Sequence, residues 1–266
     1  MMPLHMNSLD GRSYMRIDYF VINLDDSPHR LLEITRVFNN LDIELNRISA
    51  VDGSKISLSD FSDDLSCRRE MGRSLQPGEV GCFLSHIRAL EAFLVSDADF
   101  AIILEDDATP LHHFKEAVHS LCHFISSCSY PDIAAINLGP SDYKYTSRLA
   151  KLDNIEILYA HRFAMLATGV LWTRDGASVF LSNFDKIFMP YDNYLRHVFA
   201  NTHSGFSVYP MIVKSADFSS DIQSRNTTRK RSVNDRSTFY FFIKHKRVLK
   251  EKALAAISMI RLHVKF

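Results

Sequence analysis

The sequence predicts an α/β domain built on a mostly parallel sheet covered by helices on both faces, and three observations carry that reading. Short apolar, β-branched runs alternate with segments of helical periodicity along most of the chain. With 266 residues, 46% hydrophobic and 23% charged, the chain is long and apolar enough for one large core, and 19 Phe with 10 Tyr exclude global disorder. The apolar run DFAIIL passes directly into the acidic EDD of LEDDATP. Ligands of open α/β sheets collect at such carboxyl ends of strands.

The elements follow in order. Residues 17–24 (IDYFVINL) read as a strand that stops at DDSP, where Ser27 and Pro28 open a helix carrying Leu31, Leu32, Ile34, Val37, Phe38 and Leu41 on one side. Residues 43–51 form a second strand ending in the Asp52-Gly53 turn, and 54–76 are polar and irregular, a loop. Residues 77–95 have a Pro-Gly start, an early Glu79 and apolar Phe83, Ile87, Leu90 and Leu94: a helix. Strand 99–104 precedes the acidic run, and a helix follows Pro110. Residues 132–138, then after a polar loop 156–173, supply further strands; 175–187 and 191–200 are helical, and 206–213 is the last strand. No internal repeat is present.

Thirty-one basic and 31 acidic residues balance to zero, but unevenly. Residues 222–266 hold 12 Lys/Arg against 2 Asp/Glu, leaving 19 against 29 for residues 1–221: a +10 tail on a −10 body. The four cysteines show no metal-knuckle spacing, which points to reduced thiols in a cytosolic compartment. The first residues lack an apolar signal core, and no run approaches the roughly 18 apolar residues of a membrane span.

Three segments carry chemistry. Glu105, Asp106 and Asp107 would repel one another unless a cation neutralised them, and hard oxygen ligands suit Mg²⁺ or Mn²⁺ with a diphosphate. Strand alternation sends Glu105 and Asp107 to one side and Asp106 to the other. An acidic loop or helix cap is the plain alternative. In LQPGEVGCFLSHIRAL, Ser85 and His86 face a ligand while Cys82 and Phe83 join the core, or His86 is a packing residue and Glu79 favours the helix dipole. Glycines 78 and 81 permit close backbone approach. In VINLDDSPHR and SAVDG, Asn23 and Arg30 hold a base or phosphate and Asp52 a ribose hydroxyl, or all are turn chemistry.

In this order, VINLDDSPHR, RISAVDGS, LQPGEVGCFLSH and FAIILEDDATP resemble glycosyltransferase family 25, the family of bacterial lipooligosaccharide galactosyltransferases and of collagen galactosyltransferase domains. The resemblance is strong over residues 17–110 and continues more loosely through ATGVLWTRDGA and MPYDNYL. It implies a GT-A-like nucleotide-sugar-binding fold spanning 17–221, after an extension 1–16 and before the basic tail 222–266. It also implies inverting transfer of a hexose, usually galactose, from a UDP-sugar to a saccharide acceptor, with Mn²⁺ or Mg²⁺ at Glu105 and Asp107 and with Asp106 beside them. Asn23, Arg30, Asp52, Glu79, Ser85 and His86 would line the donor site. A catalytically lapsed saccharide- or nucleotide-binding module is the alternative.

Inversion needs a base at the acceptor hydroxyl. Asp192, late in the fold and away from the acidic cluster, is that base or the cap of helix 191–200; Asp217 and Asp221 are weaker rivals. Trp172 reads as core, and His119 with His123 as a solvated helix face. The tail mixes Phe/Tyr clusters with basic residues over a helix-compatible stretch, which suits an anionic membrane surface. A lipid-linked acceptor and a peripheral position on the inner face of the cytoplasmic membrane follow as expectations, and no nucleic-acid motif accompanies the basic run. A helix packed on the acidic body is the other reading of the tail.

Overall fold

Strand β1 (Ile17–Asn23) buries its last five residues because helices cover both faces of the sheet around it. It pairs in parallel with β2 (Asn46–Ser49) on one edge and β3 (Phe100–Glu105) on the other. These elements belong to a computed structural model that describes residues 15–111, 113–127, 133–216 and 236–263. The other strands are β4 (Ala108–Pro110), β5 (Ala135–Asn137), β6 (Thr146–Lys151), β7 (Glu156–Ala160), β8 (Gly169–Thr173), β9 (Gly205–Tyr209) and β10 (Val213–Ser215). Eight of them form one sheet in the order β2-β1-β3-β8-β5-β9-β7-β6, and β10 pairs with β4 in a separate ribbon.

Six of the eight strands run the same way, and β8 and β7 oppose them. The sheet is therefore mixed, with a parallel half at β2-β1-β3. Side-chain alternation divides the core in two. Phe20, Ile22, Ala101 and Ile103 face one cluster, built round Phe83, Phe93 and Trp172. Tyr19, Val21, Ile102 and Leu104 face the other, built round Phe38, Phe114 and Phe206. Trp172 is fully buried against Phe180 and Phe199, so its core reading holds.

The helices are α1 (Pro28–Asn39), α2 (Leu58–Phe61), α3 (Asp64–Met71), α4 (Pro77–Val95), α5 (Phe114–Ser127), α6 (Arg174–Ser182), α7 (Tyr191–Thr202) and α8 (Tyr240–His263). Helices α2 and α3 occupy the segment expected to be a loop. Helix α3 has little apolar periodicity, and its ends define it instead. Asp63 accepts from the Ser66 amide at 3.0 Å, Asp64 and Arg68 pair one turn apart, and Gly72 closes the helix at φ +72°. Strand β6 likewise stands where a polar loop was expected, as the edge partner of β7.

Two glycines explain how the N-terminal half of α4 reaches the sheet. A Cβ on Gly53 would stand 1.7 Å from the Pro77 carbonyl oxygen, and one on Gly81 would stand 2.4 Å from the Val51 oxygen. Without side chains there, α4 lies backbone to backbone against the turn after β2. Gly78 meets nothing within 4 Å, so close approach is a property of Gly81 alone in this pair.

Helix α8 returns across α3 and α7. Its inner face is Tyr240, Ile243, Arg247, Glu251, Ala255 and Ser258, spaced three and four apart. Glu251 accepts from Arg162 at 2.9 Å and lies 3.4 Å from Arg196 and 3.0 Å from Arg247. Ser258 Oγ lies 2.8 Å from His161 Nδ1. The basic tail thus docks through its single described acid onto arginines of the body, the reverse of the charge pairing that the net charges suggest. Most of 1–16, Asp217, Asp221 and the basic run 225–231 lie outside the described residues.

Replacing Gly81 with Ala forces α4 away from Val51 and is expected to cost about 2–3 kcal/mol in chemical denaturation. Gly78→Ala, a helical position with open space, is expected to leave stability unchanged or raise it by roughly 0.5 kcal/mol.

Candidate active site

Strand β3 ends at Glu105, and Asp106 and Asp107 form the turn into β4, so strand alternation does not continue past Glu105. Asp106 and Asp107, expected on opposite sides, both meet Arg30 from α1, while Glu105 meets His86 from α4 and remains electrostatically coupled to both. Arg30 Nη2 lies 2.7 Å from Asp106 Oδ1 and 3.9 Å from Asp107 Oδ2. Asn23, 1% exposed, donates to Asp106 Oδ2 at 2.7 Å and to the Ser27 oxygen at 3.0 Å, and accepts from Arg47 Nε at 3.3 Å. Its amide is therefore occupied in tying β1 to the acidic turn. Burial raises the Asp106 carboxyl above its usual range, and the Asn23 hydrogen bond and Arg30 oppose that rise.

Asp107 Oδ2 accepts from Ser215 Oγ at 2.6 Å, while Oδ1 is buried with no hydrogen-bond partner. Nothing in the sequence pointed to Ser215. It reaches Asp107 because β10 pairs with β4, aligning Ser215 with Ala108 across the ribbon.

Glu105 is pushed up to about 7, by burial first and then by Asp107 and Asp106, with Arg30 opposing. Its side chain is 35% exposed. His86 Nε2 is 3.7 Å from Glu105 Oε1. The His86 ring is 1% exposed and stacks on Tyr191 with centroids 3.8 Å apart and planes 11° apart. Burial lowers it to about 4, so it is neutral at physiological pH, and neither ring nitrogen has a hydrogen-bond partner. Cys82, one turn before His86, is exposed beside Glu105 and does not join the core as expected. Phe83 takes the core position.

Asp192 belongs to this group as well. Pro190, not Asp192, caps α7, and the Asp192 carboxylate accepts from the Leu166 amide at 3.3 Å across the loop before β8. Burial and then Glu105 raise its pKa, with the Leu166 hydrogen bond and His86 among the opposing influences. Asp192 is therefore within electrostatic reach of the acidic strand end, not remote from it.

Three of the expected donor contacts are taken up by the scaffold. Ser85 Oγ donates to the Gly81 oxygen at 2.6 Å and accepts from the Val51 amide at 2.8 Å, which fastens α4 to the end of β2. Glu79 receives both Arg73 Nη groups, at 2.6 and 2.7 Å, and the Gln76 amide at 2.9 Å, which caps α4. Asp52 accepts from the Ser54 hydroxyl and amide at 2.6 and 3.0 Å and pairs with Lys55 at 3.3 Å, and those Ser54 bonds hold its pKa below the ordinary range. His119 and His123 stay on the exposed face of α5, as expected.

The arrangement is a parallel strand end with a surplus of negative charge, flanked by a neutral imidazole and a second carboxylate. The family model described as glycosyltransferase family 25 (LPS biosynthesis protein) matches residues 16–195, which include every one of these site residues except Ser215. The chain belongs to glycosyltransferase family 25. A family-25 member from Drosophila melanogaster is 26% identical over 205 residues, 73% of this chain and 33% of that protein. Procollagen galactosyltransferase 2 of Homo sapiens is 25% identical over 186 residues, 67% of this chain and 29% of that protein. The chain spans about a third of the length of these family-25 relatives. Among solved structures, a Drosophila β-1,4-galactosyltransferase 7 mutant in complex with manganese, UDP-Gal and xylobiose aligns over 84% of this chain and 75% of that one, at 12% identity and a TM-score of 0.36.

Ser85→Ala would strand the Val51 amide in the joint between β2 and α4. The expected loss is about 1–3 kcal/mol in urea denaturation, with the ends of β2 and α4 exchanging amide hydrogen faster.

Proposed function

We propose that this family-25 chain is an inverting, cation-dependent glycosyltransferase that moves a hexose, galactose foremost, from a UDP-sugar to a saccharide acceptor of the lipooligosaccharide or lipopolysaccharide kind. One observation carries the cation requirement: three carboxylates gather at the end of β3 around Arg30, Asp107 Oδ1 is buried without a hydrogen-bond partner, and burial, then Asp107 and Asp106, push Glu105 up to about 7. Hard oxygen donors in that state fit Mn²⁺ or Mg²⁺, and Glu105 and Asp107 would hold the ion. A bound ion supplies Lewis-acid stabilisation of the charge that develops on the departing diphosphate.

The chain's own residues supply the rest. Asn23 and Arg30 hold Asp106 and keep the acidic turn in one conformation, so the cost of gathering these charges falls on folding and not on donor binding. Asp192, fixed by the Leu166 amide, accepts the proton of the acceptor hydroxyl through its carboxylate. The upward shift of its pKa makes it a better base than an exposed aspartate. His86 and Tyr191, stacked and buried, form the dry wall between Glu105 and Asp192. The match to a family of LPS biosynthesis proteins supports the lipopolysaccharide acceptor, and the procollagen galactosyltransferase relatives support the galactosyl donor.

The outward face of α8 supports a membrane-surface location. Phe241, Phe242, Leu249 and Ile260 are 65–69% exposed, beside Lys244, Lys246, Lys250 and Lys252. Large apolar residues flanked by cations suit insertion into an anionic leaflet. Among the described residues no helix is long and apolar enough to cross a membrane. This reading puts the enzyme peripherally on the inner face of the cytoplasmic membrane, beside lipid-linked acceptors.

A panel of UDP-sugars with and without Mn²⁺, read by UDP release, tests the chemistry. Asp107→Ala is expected to abolish cation-dependent turnover. Asp192→Asn is expected to lower kcat by about 10²–10⁴-fold while the donor KM stays within about threefold; normal turnover by a folded Asp192→Asn protein would remove the base. For α8, the Phe241→Ser/Phe242→Ser double variant is expected to lose salt-sensitive binding to phosphatidylserine vesicles at unchanged thermal stability.

A further inference from the structure

Cys82, His86 and Glu105 meet on the α4 side of the acidic strand end. Cys82 and His86 stand one helical turn apart on the same face of α4, and Glu105 arrives from β3. The thiol sulfur, an imidazole nitrogen and a carboxylate oxygen all lie within 4.8 Å of one another, and the His86 Nε2–Glu105 Oε1 distance is 3.7 Å. In a tetrahedral site with bonds of about 2.0–2.3 Å, neighbouring ligand atoms stand about 3.5 Å apart. One pair already has nearly that separation, and the sulfur needs to close by about 1.3 Å at most, within the reach of a side-chain rotation.

A second observation points to a ligand. His86 is 1% exposed, yet neither ring nitrogen has a hydrogen-bond partner. Buried polar atoms are rarely left in that state without an unseen partner. Stacking on Tyr191 fixes the plane of the ring, so its nitrogen is held in place before anything binds. Cys82 is exposed, which gives an ion a route in and leaves a fourth position for water.

We propose that Cys82, His86 and Glu105 form a binding site for a thiophilic divalent cation of the Zn²⁺ class. Sulfur and imidazole nitrogen select such ions over Mg²⁺ and Mn²⁺, which prefer the all-oxygen set of Glu105 with Asp107. Binding forms a sulfur–metal bond and releases the Cys82 thiol proton to solvent. The two sites share Glu105, so they exclude each other: a thiophilic ion withdraws Glu105 from the carboxylate pair. Occupancy of the Cys82 site does not depend on the transferase reading, because it is measured without donor or acceptor.

The experiment uses the full chain stripped by a chelator, with Co²⁺ as the probe. The wild type is expected to bind one Co²⁺ with a near-ultraviolet thiolate-to-cobalt band, which Zn²⁺ abolishes by displacement and millimolar Mg²⁺ leaves intact. Cys82→Ser is expected to lose the band and to bind Zn²⁺ about 100-fold more weakly. In the unaltered protein, Zn²⁺ is expected to protect the Cys82 peptide from iodoacetamide by mass spectrometry, a readout that needs no variant to fold. Co²⁺ binding without a thiolate band, unchanged Zn²⁺ affinity in Cys82→Ser, or equal alkylation with and without Zn²⁺ would each overturn the proposal. Normal UDP release in Asp192→Asn with Zn²⁺ binding intact would count against the transferase reading alone.

Discussion

Three successive carboxylates at the end of a buried strand set the constraint around which the rest of the site is built. Left together in a crevice of low polarity they would repel one another and lose hydration. The fold separates them. Ending β3 at Glu105 lets the turn swing Asp106 and Asp107 towards Arg30, while Glu105 stays against His86. The separation is incomplete, since Glu105 still feels both neighbours and remains well above the ordinary carboxylate range.

Holding that arrangement requires α4 and α7 to approach from opposite sides. Helix α4 comes close because Gly53 and Gly81 remove the side chains that would keep it from the turn after β2, and Ser85 fastens the contact. This places Cys82 and His86 beside Glu105. Helix α7 brings Tyr191 under the His86 ring and Asp192 within electrostatic reach of Glu105, with the Leu166 amide fixing the carboxylate. Behind α7, α8 closes the assembly: Glu251 reaches Arg196 of α7 and Arg162 of the loop that carries Leu166. The helix whose outer face is apolar and basic is thus mechanically joined to the segment that positions the second carboxylate.

The motif residues divide by what their side chains do. Glycines 53 and 81, Ser85, Glu79 and Asp52 spend their chemistry inside the scaffold, in close approaches, caps and turns. Glu105, Asp107, His86 and Asp192 retain unpartnered atoms or raised carboxyl pKa values around the end of β3. A family signature of this sort records the shape of a site as much as its reactivity, because a short backbone contact fixes residue type as strictly as a reacting group does.

Local pattern determined a good deal by itself. The hydrophobic runs marked β1, β3 and α4 with nearly their observed bounds, and the ordered motifs around Asn23, Asp52, His86 and Glu105 were sufficient to point to family 25. Those signals are short-range: side-chain period, turn residues and fixed spacing. Three things were decided only in the tertiary structure. The direction of Asp107 depended on where β3 stopped. The partnership of Ser215 with Asp107 depended on the pairing of β10 with β4. The docking of α8 depended on one glutamate meeting arginines of α7 and of the loop between β7 and β8, although the tail's net charge is positive. Each joins residues far apart in the chain, and net charge or periodicity averages over the very contacts that settle which way such residues face.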